Sequence, residues 1–219
     1  MQTLRIDRFE GLHVLADDDP RWGSSPVEQA RAACAGGAAV IQLRIKHVGD
    51  RRALEWAREI RELTRETDRA FVMNDRFDLA VLSGADGVHL GQEDLPPGAI
   101  PPDLRGRLSI GRSTHTLGQV EAARREPLDY VAFGPVFGTT SKASAYDARG
   151  LESLREAVRL SAPRALIAIG GITAQHLTAL REAGVAGFAV ISGVAGAADP
   201  VAATRALVSG FTASTGLPG

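Results

Sequence analysis

The chain has 219 residues, 44% of them hydrophobic and 24 of them glycine, which is enough for one large core and near the lower size limit of an eight-stranded α/β barrel. Its 25 Lys and Arg balance 26 Asp and Glu to a formal charge of -1, and 5% aromatic residues are too few for base-stacking platforms, so nucleic acid is not an expected partner. Cys34 is the only cysteine, which excludes an intrachain disulfide and a multi-cysteine zinc site.

The N-terminal MQTLRIDRFEG carries no apolar signal core, and no stretch reaches the roughly 18 uninterrupted apolar residues of a membrane helix. A single cytoplasmic domain over residues 1–219 is expected, with no membrane partner, and a homo-oligomer is compatible with it. Short aliphatic runs alternate with amphipathic stretches, the pattern of repeated βα units rather than of a sandwich. In chain order the strand runs are 12–15, 39–43, 70–73, 87–90, 108–111, 130–133, 165–169 and 187–191. Brief, apolar runs of this kind suit staves buried on both faces, so the predicted fold is a (βα)8 TIM barrel. RAACAGG around Cys34 reads as a buried helix end before the second strand. The helix after that strand places Ala53, Trp56, Ile60 and Leu63 on one stripe, with Arg and Glu on the other face. The sixth helix opens after Gly150 and stops before Pro163, and the seventh has Thr173 as N-cap and Gly184 just past its end. The longest unassigned stretch, 134–150, follows the sixth strand and reads as an active-site loop.

Charge collects at the carboxyl ends of these strands, where α/β enzymes keep their chemistry. AAVIQLRIK ends on Arg44 and Lys46, AFVMND on Asn74 and Asp75, and GVHLGQED leads to Asp94. A lone Asp after a strand is most often a loop charge or a helix cap. Two at successive strand ends, with Asn74 beside one and Gln92 and Glu93 beside the other, suit an oxygen-rich Mg²⁺ site that leaves positions for water and phosphate. Arg44, Lys46 and Lys142 then compensate a metal-bound diphosphate. In IGRSTHT, Thr116 reads as an N-cap and Ser113 as a ligand donor. IGG at 169–171 and VIS at 190–192 follow the seventh and eighth strands, where barrels commonly hold a phosphate; alone a Gly-Gly there reads first as an ordinary tight turn, and the two signals together bring the phosphate reading level with it. His13, His47, His89, His115 and His176 show no metal-ligand spacing and read mostly as structural. No GxSxG elbow, P-loop or GxGxxG fingerprint is present.

As a set, these motifs resemble the thiamine phosphate synthase family across nearly the whole chain. QLRIK at 42–46 is similar to the family's QLREK, NDR at 74–76 and DGVHLGQEDLP at 86–96 to its central signature, and IGRSTHT to its fifth-strand motif; GPVFGTTSK, AIGGIT and AVIS follow in family order. The resemblance implies the same barrel, a transferase, Mg²⁺ as cofactor and two small-molecule substrates. It assigns Gln42, Arg44, Lys46, Asn74, Ser113 and Lys142 to an aminopyrimidine diphosphate, and Asp75 and Asp94 to Mg²⁺. Thr139, Thr140, Ser141, Gly171, Ile191 and Ser192 would hold thiazole phosphate, and Arg44, Lys46, Lys142 and Ser113 would be catalytic. In the implied reaction diphosphate leaves the pyrimidine's hydroxymethyl carbon, and the thiazole nitrogen attacks that carbon to give thiamine phosphate.

Three departures stand out. Ile45 replaces the usual acidic residue, Gly138 stands where the PTxTK segment normally has proline, and the first strand ends LADDDP where LVTD is more usual. Two other readings stay open. Thiazole tautomerase is a related barrel whose acid/base histidine lies in an FGHVF segment, whereas this chain has FGPVF with Pro135 in that place. A non-catalytic phosphate sensor on the same barrel would not require two metal carboxylates.

Overall fold

Eight parallel strands in sequence order close into the expected barrel: β1 Gly11–Asp17, β2 Val40–Arg44, β3 Ala70–Asn74, β4 Gly87–Leu90, β5 Ser109–Thr114, β6 Tyr130–Phe133, β7 Ala165–Ile169 and β8 Gly187–Val190, with β8 paired back to β1. The structure, a computed structural model, describes residues 6–138 and 147–213. The helices around the barrel are α1 Pro26–Gly36, α2 Asp50–Glu66, α3 Phe77–Ser83, α4 Pro102–Arg105, α5 Leu117–Ala123, α6 Gly150–Ser161, α7 Leu177–Glu182, α8 Ser192–Ala195 and α9 Pro200–Thr212. Among the described residues no helix is long and apolar enough to cross a membrane.

Local signals explain where these elements begin and end. Ser25 and Glu28 form a reciprocal capping box at the start of α1, Pro26 fills its first turn, and Gly37 closes it at φ 92. Cys34 lies buried near the end of that helix. The face of α2 turned to the strands differs from the expected stripe: it is Ala53, Ala57, Ile60 and Thr64, with Trp56 and Leu63 half-buried at its flanks. Small residues let the helix approach the sheet, and Trp56 instead lies under the Arg52 guanidinium at 4.9 Å. Strands β1 and β5 run further than their apolar runs, with pairings through Asp17↔Arg44 and Thr114↔Phe133. Ser113 is therefore a strand residue and does not follow the strand, because backbone pairing continues after the side chains turn polar.

Alternate side chains of every strand point into the barrel. Leu15, Val40, Val72, Tyr130, Ala132, Ile167, Ala189 and Ile191 form one inner cluster with Phe9, which plugs the end where the strands begin. The outward residues make a second cluster against the helices. Tyr130 fills the middle of the interior: its ring stacks on Phe9 at 5.7 Å, meets His13 edge-on at 5.8 Å, and lies 5.6 Å from His89. It fits because Gly111 leaves room, since a Cβ there would sit 2.2 Å from the Tyr130 ring.

Two stability predictions follow from this packing. Gly111→Ala should cost on the order of 2–3 kcal/mol by overpacking against Tyr130. Gly118→Ala, whose added Cβ meets only Thr116 Oγ1 at 3.9 Å within α5, should leave the melting temperature unchanged or raise it. Equal melting temperatures for the two variants would contradict the packing. His13 donates from Nε2 to the Phe9 carbonyl at 2.7 Å, and burial lowers its pKa from 6.5 to about 4 despite that bond. Above pH 6.5 folded and unfolded chains both carry it neutral; as pH falls towards 4 the unfolded chain takes up a proton that the folded one refuses. Stability is thus lost between those values, by roughly 3 kcal/mol in full. Denaturation of wild type and His13→Gln from pH 7 to 4.5 should show the steeper fall in wild type, and parallel profiles would refute it.

Candidate active site

The period of two in β2 carries on past its last residue, so Gln42, Arg44 and Lys46 share the inward face at the mouth of the barrel. Gln42 is buried, and its amide donates to Asn74 Oδ1 on the neighbouring β3 at 2.7 Å. The two amides thus sit side by side and hold each other.

The acidic run at 17–19 has three separate tasks. Asp17 faces Arg44 across the β1–β2 ladder and accepts from its Nη1 at 2.5 Å; its other oxygen takes Trp22 Nε1 at 3.3 Å and the Asp19 N–H at 2.8 Å. Asp18 turns the other way and accepts three backbone N–H groups of the loop after β2, from Lys46 at 2.7 Å, His47 at 2.8 Å and Val48 at 3.0 Å. Asp19 caps the short turn Pro20–Trp22 by accepting from the Arg21 N–H at 3.0 Å. Asp18 therefore fixes the backbone from which Lys46 projects.

Lys46 Nζ lies 2.6 Å from Asp75 Oδ2, and the carboxyl groups of Asp75 and Asp94 are in hydrogen-bonding contact with each other. Asp75 is a non-glycine residue at φ 64, a left-handed conformation that costs free energy and is held by its own N–H bonding the His89 carbonyl at 2.8 Å. Asp94 folds back so that its Oδ2 accepts the Gly91 N–H at 2.6 Å. Burial works against ionisation of Asp75, but the hydrogen bonds from Lys46 and with Asp94 outweigh it and hold this carboxyl below the usual carboxylate range. Burial and the facing Asp75 carboxyl push Asp94 above that range. Two acids driven apart in this way either share a proton or share a cation.

A histidine left as structural by its spacing links the barrel centre to this rim. His89 meets the Tyr130 hydroxyl through Nδ1 at 3.1 Å and Ser113 Oγ through Nε2 at 2.9 Å. Burial raises the Tyr130 pKa far above its ordinary value, so the phenol keeps its proton. The two bonds fix the imidazole plane and with it the Ser113 hydroxyl, while Gln92 donates to the Ser113 carbonyl at 2.5 Å. The signal for His89 was its phase: it is the inward residue of β4 between Gly87 and Gly91.

Gly171, Ile191 and Ser192 lie at the adjacent ends of β7 and β8, and Ser192 opens α8 with Ile191 as its N-cap. The glycine pair has a packing reason of its own. Gly170 and Gly171 adopt φ 101 and 61, and an added Cβ would sit 2.5 Å from Pro135 and 2.2 Å from the Gly138 carbonyl, because the loop after β6 crosses directly over them. Gly138 itself has open space where a Cβ would go, and Ile45 packs against the outer core, which explains an apolar side chain there. Thr139, Thr140, Ser141 and Lys142 lie outside the described residues. Among the described residues no three His, Cys, Asp or Glu side chains are grouped as metal ligands.

A parallel barrel whose mouth carries paired acids beside cations is the architecture of a phosphate-handling enzyme. The family model for thiamine monophosphate synthase matches residues 12–194, and the chain belongs to that family. The thiamine-phosphate synthase of Anaeromyxobacter dehalogenans is 45% identical over 95% of this chain and 91% of its own length. That of Methanoculleus marisnigri is 43% identical, with 90% and 92% covered. Among solved structures, the thiamine phosphate pyrophosphorylase from Pyrococcus furiosus superposes with a TM-score of 0.85 at 37% identity, over 94% of this chain and 98% of that one.

The clamp on the loop after β2 gives a prediction. Asp18→Asn keeps the shape but turns a donor towards backbone donors, so it should destabilise the fold by roughly 2–3 kcal/mol. Chemical denaturation checks this, and an unchanged midpoint would mean that the Asp18 bonds hold nothing in place.

Proposed function

We propose that the chain is a thiamine phosphate synthase, which joins an aminopyrimidine diphosphate to thiazole phosphate and releases thiamine phosphate and pyrophosphate. The observation that carries this reading is the Asp75–Asp94 pair, in mutual contact and braced by Lys46 at the mouth of a barrel of this family. Its substrates are small phosphates, and we place the enzyme in the cytoplasm.

The donor set suits Mg²⁺. Two facing carboxylates leave one acid reluctant to ionise, and Asp75 and Asp94 would hold a divalent cation whose charge would relieve that conflict. Once bound, Mg²⁺ supplies charge against the leaving diphosphate, worth several kcal/mol of barrier. The chain's own residues do the rest. Arg44 and Lys46 bind and orient the diphosphate. The paired amides of Gln42 and Asn74 orient the pyrimidine, whose 4-amino group assists departure by electron donation. Ser113, held by His89, keeps a hydroxyl on the same substrate. Lys142 binds the diphosphate with Arg44 and Lys46, and Thr139, Thr140 and Ser141, with Gly171, Ile191 and Ser192, receive the thiazole phosphate. No protein nucleophile is needed, because the attacking nitrogen belongs to the second substrate.

Proton transfer on thiazole phosphate alone would use no acid pair, and the position of the tautomerase histidine is Pro135, packed against Gly170. A sensor that only binds phosphate would equally leave the strained Asp75 without a purpose.

Pyrophosphate release by purified protein should require the pyrimidine diphosphate, thiazole phosphate and a divalent cation together, and EDTA should abolish it. Binding of thiazole phosphate without release would favour the tautomerase or the sensor. Asp75→Asn and Asp94→Asn should each lower turnover by more than about tenfold with the fold retained, and turnover near wild type in both would remove the metal assignment. Lys142→Ala should weaken the diphosphate substrate more than thiazole phosphate; the reverse order would exchange the two halves of the loop.

A further inference from the structure

Asp17 is the acid of the LADDDP run whose side chain reaches a cation of the rim, Arg44. Its carboxylate is 1% exposed and has no freedom left, because Trp22 Nε1 and the Asp19 N–H hold Oδ1 while Oδ2 meets Arg44 Nη1. Trp22 is itself wedged in place, packed on the inner cluster, with its ring 3.5 Å from where a Cβ on Gly196 would lie. Arg44 is the looser partner at 13% exposure, and among the described residues only one nitrogen of its guanidinium has a hydrogen-bond partner. A guanidinium held at one nitrogen by a rigid carboxylate is anchored at that end, and its other donors are left available to a ligand. A neutral side chain there could accept a hydrogen bond but could not balance the charge.

We propose that Asp17 is a positioning residue for the diphosphate half of the reaction: it fixes Arg44 so that the free edge of the guanidinium meets the substrate's diphosphate already oriented. This rests on Arg44 being a diphosphate ligand. An arginine that is fixed before binding loses less side-chain freedom when the substrate arrives, so the benefit appears in affinity for that substrate. The carboxylate also cancels part of the Arg44 charge. Orientation outweighs cancellation, because the buried carboxylate engages one nitrogen and leaves the other donors available.

The test is steady-state kinetics of Asp17→Asn, Arg44→Ala and the double variant, with Asp17→Thr replacing Asp17→Asn if the latter does not fold. Asp17→Asn should raise KM for the pyrimidine diphosphate about tenfold, with kcat within about threefold and KM for thiazole phosphate within about twofold of wild type. Added to Arg44→Ala it should change nothing further, because Asp17 acts only through Arg44. An unchanged or lower diphosphate KM, an equal rise in both KM values, or additive effects in the double variant would overturn the proposal. If Arg44→Ala itself leaves the diphosphate KM at the wild-type value, the assignment of Arg44 falls and the proposal with it. If Arg44→Ala raises KM and Asp17→Asn does not, the proposal alone falls.

Discussion

Closure of eight parallel strands into a barrel leaves little interior volume and sends alternate side chains of every strand into it. Much else in the molecule is a response to that crowding. Phe9 closes one end, Tyr130 occupies the middle, and Gly111 gives up its side chain so that the tyrosine fits. Aliphatic residues fill the gaps that remain between the strands. With the floor sealed and the centre full, the inward residues with access to a ligand are those of the last turn of each strand. Gln42, Arg44, Asn74 and Ser113 are all in that layer. The chemistry sits at the mouth because the packing leaves it nowhere else.

At that mouth the same side chain, aspartate, does five different things, and its surroundings decide which. Asp18 meets only backbone donors and becomes a clamp; Asp17 meets a guanidinium and becomes a brace; Asp19 caps a turn. Asp75 and Asp94 meet each other. Lys46 favours the ionised form of one, while burial and its neighbour oppose ionisation of the other. The two carboxyls are thus pushed in opposite directions although they face each other, and their surroundings alone decide which one ionises the more readily.

The strands were legible because each is a short apolar run between charged or glycine-rich stretches, and the rim acids and bases were legible because they stand where those runs stop. Boundaries failed where pairing outlasts hydrophobicity, as at Asp17 and Thr114. Partners failed for a different reason. Asp17 reaches Arg44 across 27 residues and Asp18 reaches Lys46 across 28, and no local periodicity encodes a contact between neighbouring strands. His89 has no metal-pair spacing, and its contact with Ser113 follows instead from facing inward between two glycines. The glycines at 170 and 171 drew attention for a phosphate, yet the loop over them already explains why no side chain is tolerated. Sequence reading found the residues at that end and could not see the backbone that crosses them.

A phosphate end and a closed barrel do not by themselves choose a reaction. Proton transfer on a thiazole needs a group that gives and takes a proton at neutral pH, and position 135, where the related tautomerase places one, holds a proline that packs on Gly170. Departure of a diphosphate needs no such group. It needs positive charge fixed where the leaving oxygens will be, and under the proposed function a lysine anchored through Asp18, an arginine gripped by Asp17 and a carboxylate held at φ 64 would meet that need, whereas a proton shuttle would leave them idle. Each of these features holds a charged group in place before a ligand arrives. Charge held in place before the substrate arrives is what lowers the barrier to ionisation, because the protein has no reorganisation left to do when the bond breaks.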